Sequence, residues 1–121
     1  MHRITIVNRT RTTVIGTRIE VADTFLTRLI GLLGRSRLNV GCGLLIQPSS
    51  GVHTFGMRFP IDVIALDRQL RVLKIWRALR PWRTSSVSWK THAVLELAAG
   101  HLQQCPLEVG DQLEITNGDS A

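Results

Sequence analysis

The chain has 121 residues, 15 Lys and Arg against 9 Asp and Glu, and a formal charge of +6. Its length fits one domain, residues 1–121, with enough core to fold without staples, and its 44% hydrophobic and 20% charged composition excludes a disordered chain. No apolar run approaches the roughly 20 residues of a membrane span, and with no Tyr, three Phe and three Trp, surfaces for stacking nucleic-acid bases are few.

Residues 3–8 read as a strand with Ile4 and Ile6 on one face. Residues 13–21 repeat the theme through Val14, Ile15, Ile19 and Val21; the short connection suits a hairpin, and Gly16 is placed for a bulge. The period then changes. Leu26, Leu29, Ile30 and Leu33 form the stripe of an amphipathic helix over 23–33. Asp23 can cap its start, Gly34 can end it, and Arg35 and Arg37 follow where positive charge is favoured. Strands return at 43–47, closed by the turn cluster Pro48-Ser49-Ser50-Gly51, and at 52–57.

Pro60 precedes a strand at 61–66, so apolar that it is expected to be central and buried. A turn at 67–69, a strand at 93–97, a short helical turn within 100–108 and a last strand at 110–116 complete the pass. Residues 70–80 fit two templates. Val72, Ile75, Trp76 and Leu79 match a helical stripe opposite Arg71, Lys74 and Arg77, whereas the tight turn before them and the β-branched Val72 and Ile75 favour a strand.

The start of the chain has no continuous apolar stretch, since Arg9, Arg11 and Arg18 interrupt it, so no secretory signal is expected and the expected location is the cytoplasm. Cys42 and Cys105 form no CxxC pair. Two buried thiols are expected in preference to a disulfide.

The run His53-Thr-Phe-Gly-Met-Arg-Phe-Pro-Ile-Asp-Val-Ile-Ala-Leu-Asp67 resembles the core signature of a prokaryotic family known as domain of unknown function 192. Residues 27–35, Gly43-Leu-Leu-Ile, Arg80-Pro-Trp-Arg83, Val94-Leu-Glu-Leu-Ala-Ala-Gly100 and Gly110-Asp111 match in order, so the resemblance spans about residues 15–116. It implies a mainly β domain, an open barrel or jelly-roll-like sandwich with one main helix near 23–33. It also implies that 70–80 is a strand in a hairpin with 61–66. Many relatives begin with a secretory or lipoprotein signal, which this sequence does not resemble. The resemblance implies no activity, cofactor or partner, because the family is named for having none assigned.

Three constellations can carry chemistry. His53, Arg58 and Asp62 can meet around the Arg58-Phe-Pro turn, as a His–carboxylate pair that orients a ligand or as a structural hydrogen bond, and the structural role is favoured over catalysis. Trp82 between Arg80 and Arg83 offers a flat surface beside bidentate donors for a carboxylate, phosphate or sugar acid. Glu96, between Leu95 and Leu97, needs a cation if buried, with Arg58 and Arg83 the natural candidates. Asp62 and Glu96 are the weak candidates for an acid–base pair.

No histidine spacing suggests a metal, and no cofactor is expected. Six of the fifteen basic residues, Arg68, Arg71, Lys74, Arg77, Arg80 and Arg83, recur every third residue. On a strand that spacing alternates faces, so nucleic-acid binding is possible but not favoured. The leading expectation is a binding module for a small acidic or polar ligand at His53, Arg58, Asp62, Trp82 and Arg83, with no catalytic residue assigned, acting as a monomer or weak homodimer. The alternatives are a small hydrolase using Asp62 or Glu96, or a nucleic-acid or anionic-surface binder through the 68–83 basic hairpin.

Overall fold

The computed structural model describes residues 3–22, 41–48, 59–80 and 89–116. Among them run seven strands: β1 (Arg3–Asn8), β2 (Thr13–Ala22), β3 (Cys42–Ile46), β4 (Ile61–Leu66), β5 (Val72–Leu79), β6 (Ala93–Ala98) and β7 (Leu113–Thr116), with a one-turn helix at His101–Gln104 between β6 and β7. The strands form one mixed sheet in the order β5-β4-β6-β3-β2-β1-β7. The sheet curls into a half-barrel, so the open-barrel expectation holds and the sandwich does not describe these strands.

Residues 70–80 are resolved by their neighbours. Val72 pairs with Leu66 and Ile75 with Ile64 across an antiparallel ladder, and Val72 is 1% exposed. Asp67 shapes the turn: its Oδ1 accepts from the amides of Gln69 and Arg71, both at 2.9 Å. A carboxylate that bonds the backbone two residues on is a turn former, which is why this run reverses rather than winding into a helix. The last strand starts at Leu113 rather than at 110, because Gly110 takes φ +95° and the residues before Leu113 serve the closure described below.

β2 and β3 form a parallel pair, Ile19 opposite Gly43 and Val21 opposite Leu45, and the other ladders are antiparallel. A parallel pair needs a crossover of a dozen or more residues. The chain between Ala22 and Cys42 has that length, and there the sequence changes period. The helix expected at 23–33 and the strand expected at 52–57 lie outside the described residues.

Alternation sorts the side chains onto two faces. The inner face buries Ile6, Ile19, Leu45, Ile64, Leu95, Leu113 and their neighbours from all seven strands, together with Leu102 and Leu107. The outer face of the middle strands buries Ala22, Leu44, Ile46, Ile61, Val63 and Val94, with Phe59, Trp76 and Leu79 partly buried against them. Strands buried on both faces read as continuous apolar runs; hence β4, expected to be central, is buried throughout.

The two edges of the sheet meet at one end. The Val72 amide donates to the Asp111 carbonyl at 2.9 Å, Gly110 to Val72 at 2.8 Å and Leu113 to Leu70 at 3.0 Å, so the head of β5 is tied to the approach to β7. Asp111, 4% exposed, locks this seam to the β1–β2 turn. Its carboxylate accepts from Asn8 Nδ2 at 2.9 Å, Arg11 Nε at 2.7 Å and the Glu108 amide at 3.0 Å. Burial alone would push the Asp111 carboxyl up, but the hydrogen bonds from Arg11, Asn8 and the Glu108 amide outweigh it and hold the group below its ordinary value.

Gly43 shows how tightly the middle strands pack. A Cβ there would lie 2.7 Å from the Glu96 carbonyl oxygen and 2.7 Å from Leu97 Cδ2. Gly43→Ala should therefore lower the unfolding free energy by about 2 kcal/mol in chemical denaturation. The depressed Asp111 carboxyl stabilises the fold fully above its unfolded value, and that contribution is lost as pH falls through the lower folded value, below about pH 4. Acid titrations followed by circular dichroism should show this loss in the parent and a shallower acid dependence in Asp111→Asn, which is less stable at neutral pH.

Candidate functional site

The candidate residues fall on opposite sides of the sheet. In the β4–β6 ladder Asp62 stands opposite Leu97, and Val63 opposite Glu96. Leu97 belongs to the inner core and Val63 to the outer one. Neighbouring pairs in a ladder point to opposite faces, so Asp62 projects inward and Glu96 outward. The two carboxylates share no cavity and cannot act as an acid–base pair.

Asp62 is 1% exposed, and both its oxygens are committed to main chain. Oδ1 accepts from the Ala78 amide at 2.8 Å, and Oδ2 from the Leu102 amide at 3.1 Å. Both donors would otherwise lack a ladder partner. Ala78 sits in a bulge, since Val63 pairs with Trp76 while Ile61 pairs with Leu79. Leu102 lies in the first turn of the His101–Gln104 helix, whose cap residue Gly100 supplies no side chain.

Ala78 also has φ +53°, the left-handed region that costs an L-residue about 1–2 kcal/mol. Asp62 thus stabilises a strained strand end and a bare helix start at once. Direct contact with a soluble ligand, expected of Asp62 from the sequence, does not fit a carboxylate so enclosed. Its expected companions His53, Arg58, Trp82 and Arg83 lie outside the described residues.

Glu96 is also 1% exposed. Its cross-strand neighbours are Leu44 on β3 and Val63 on β4, both fully buried and apolar. A carboxylate in such surroundings costs several kcal/mol to desolvate unless a charge or donor compensates, and Glu96 has an interaction of its own besides these apolar neighbours. Around it the outer face ends in half-buried Phe59, Trp76 and Leu79, with Lys74 Nζ 5.1 Å from the centre of the Trp76 ring.

The basic run divides as its spacing implies. Arg71 donates to the Gly110 carbonyl at 2.9 Å and Arg77 to the Leu107 carbonyl at 3.3 Å, while Lys74 lies over Trp76 on the outer face. These three do not form one cationic surface.

Two structural residues carry little signal in the sequence. His101, which belongs to no recognisable motif spacing, is 2% exposed. Its Nε2 lies 2.6 Å from the Ile15 carbonyl and its Nδ1 accepts from the Gly41 amide at 3.4 Å; these contacts assign the Nε2–H neutral tautomer. It bridges β2 to the approach to β3. Asp111 is marked in the sequence only by the Gly110-Asp111 match. Cys42 and Cys105 are free thiols and only half-buried, not fully buried as expected; Cys105 Sγ donates to the Val14 carbonyl at 3.1 Å. Among the described residues no three His, Cys, Asp or Glu side chains gather as metal ligands, and no helix is long and apolar enough to cross a membrane.

A family model, DUF192, described as Uncharacterized ACR, matches residues 5–115. The chain belongs to the DUF192 family. A UPF0127 protein of Thermococcus sibiricus is 32% identical over 114 residues, covering 90% of this chain and 73% of the relative. A UPF0127 protein of Pyrococcus furiosus is 34% identical over 102 residues, covering 80% and 87%. Two solved structures share the fold. One is a protein of unknown function from Novosphingobium aromaticivorans, with TM-score 0.77 and 23% identity over 92% of this chain and 82% of that one. The other is a Sinorhizobium meliloti protein, with TM-score 0.76 and 21% identity over 93% and 92%. In this DUF192 chain the signature aspartate Asp62 serves the backbone.

Removing the Asp62 carboxylate strands two amides. Asp62→Ala should cost about 3 kcal/mol, and amide exchange at Ala78 and Leu102 should accelerate more than at the Asp111 seam.

Proposed function

We propose that this DUF192 domain is a binding module for a small carboxylate, with Glu96 as the buried group that orients the cations of the site. The observation that supports it is Glu96 itself, a buried carboxylate that, among the described residues, has the apolar Leu44 and Val63 as its cross-strand neighbours. Among the described residues the other buried carboxylates hold the fold itself, Asp62 with main-chain amides and Asp111 with Arg11 and Asn8. In this reading Arg58 and Arg83 are the cations that Glu96 holds, and Trp82 and His53 complete the contact surface. An arginine anchored on one side by a carboxylate presents its remaining donors in a fixed fork, which suits a second carboxylate. Two arginines in one site favour a dicarboxylate.

A hydrolase with Asp62 as its base is less well supported, because both oxygens of that carboxylate accept main-chain hydrogen bonds. A nucleic-acid role also has less support. The Sinorhizobium meliloti protein of similar fold is provisionally described as a transcription regulator, but Arg71 and Arg77 here spend donors on main-chain carbonyls.

Calorimetric titration with succinate, glucuronate and inorganic phosphate tests the proposal. Succinate should bind with a dissociation constant on the order of 100 μM, and Glu96→Gln should weaken it about tenfold. The absence of heat and of thermal stabilisation with all three acids would sink the reading, as would a Glu96→Gln variant that binds like the parent.

A further inference from the structure

We propose that one end of the half-barrel is a docking surface for an anionic lipid bilayer, whatever small ligand the domain binds. Trp89 and Val109 are its apolar contacts, and Arg68, Arg71 and Lys90 are its cations. Among the described residues three large apolar side chains stand out in solvent: Trp89 is 89% exposed, Val109 65% and Val14 51%. All three lie at the end of the sheet where β1 and β4 finish. Trp89 comes just before His92, whose amide donates to the Leu66 carbonyl at the end of β4 at 2.8 Å. Val109 comes just before Gly110, whose amide donates to the Val72 carbonyl at the head of β5 at 2.8 Å. Val14 follows the 9–12 turn, one step past the Asn8–Thr13 pair.

The 67–71 turn lies between the first two. It is tied to the approach to β7, since the Leu70 carbonyl accepts from Leu113 at 3.0 Å and Arg71 donates to the Gly110 carbonyl at 2.9 Å. This turn carries exposed Arg68 and Arg71, and exposed Lys90 adjoins Trp89. The acid among them is Asp67, whose Oδ1 is taken up by two main-chain amides. Arg68 and Arg71 form no ion pair among the described residues, and Lys90 Nζ stands 5.5 Å from the centre of the Trp89 ring. The 9–12 turn beside them differs. There Arg9 meets Glu114 at 2.9 Å, and Arg11 meets Glu108 at 2.9 Å and Asp111 at 2.7 Å. The uncompensated charge therefore sits around Trp89 and Val109.

An exposed indole with a cation beside it suits the boundary between headgroups and acyl chains. The amphipathic ring settles at headgroup level, and the cations meet lipid phosphate. Trp89 and Val109 stand singly on turns. A protein partner would have to match such a surface in shape, whereas a fluid headgroup layer takes in single side chains without a matching shape.

Sedimentation of the full chain with lipid vesicles tests the surface. At about 50 mM salt the chain should sediment with phosphatidylcholine vesicles containing about 30% phosphatidylglycerol, but not with phosphatidylcholine alone, and about 500 mM salt should release it. Trp89→Ser and Arg68→Gln change exposed positions, and circular dichroism should show both folded like the parent. Trp89→Ser should weaken binding about tenfold and Arg68→Gln about fivefold. Arg3→Gln removes the same charge at the opposite end of β1 and should change binding by less than about twofold. A parent that stays in the supernatant with anionic vesicles overturns the inference. Trp89→Ser sedimenting like the parent does so too, as does Arg3→Gln weakening binding as much as Arg68→Gln, because either reduces the effect to net charge. Binding of single-stranded DNA in place of vesicles would assign the same end to nucleic acid and also overturn it.

Discussion

The shape of this domain depends on how strand β5 is held. A curled sheet leaves two edges with unpaired main-chain groups, and here the edge strand β5 is secured at both ends. At its head, Leu70 and Val72 exchange main-chain hydrogen bonds with Gly110, Asp111 and Leu113, which joins the two edges of the sheet. At its tail, Asp62 takes the Ala78 amide. The inner core can draw on all seven strands because the seam brings β5 and β7 to the same interior.

Buried carboxylates do much of this work, and their surroundings distinguish their roles. Asp111 is met by a guanidinium, an amide side chain and a backbone amide, so its charge is compensated where three turns converge. Asp62 meets two backbone amides that secondary structure leaves over. Glu96 lies between apolar cross-strand neighbours on the outer face. The first two explain why the sheet closes as it does. Glu96 faces outward, the side on which the ligand site is proposed. Fold similarity adds no function to this reasoning, since shared architecture hosts unrelated sites.

Much of the architecture was legible in the residues. Alternation at Ile4 and Ile6 marks β1, and the apolar run 61–66 marks a strand buried on both faces. These signals are local, because one strand's own neighbours decide its period. Residues 70–80 were different. Their pattern fits helix and strand alike, and only the Asp67 turn and the ladder to β4 decide between them.

The sequence by itself determined the strand content, the family, and the presence of two carboxylates, Asp62 and Glu96, in apolar strands. Tertiary structure decided which way they point. One step of register between Leu97 and Glu96 sends them to opposite faces, and register is set by pairing between strands far apart in the chain. The same holds for Asp111, whose partners Asn8 and Arg11 come from the other end of the molecule. The sequence marks the Gly110-Asp111 pair; only the curled sheet makes Asp111 the lock of the seam.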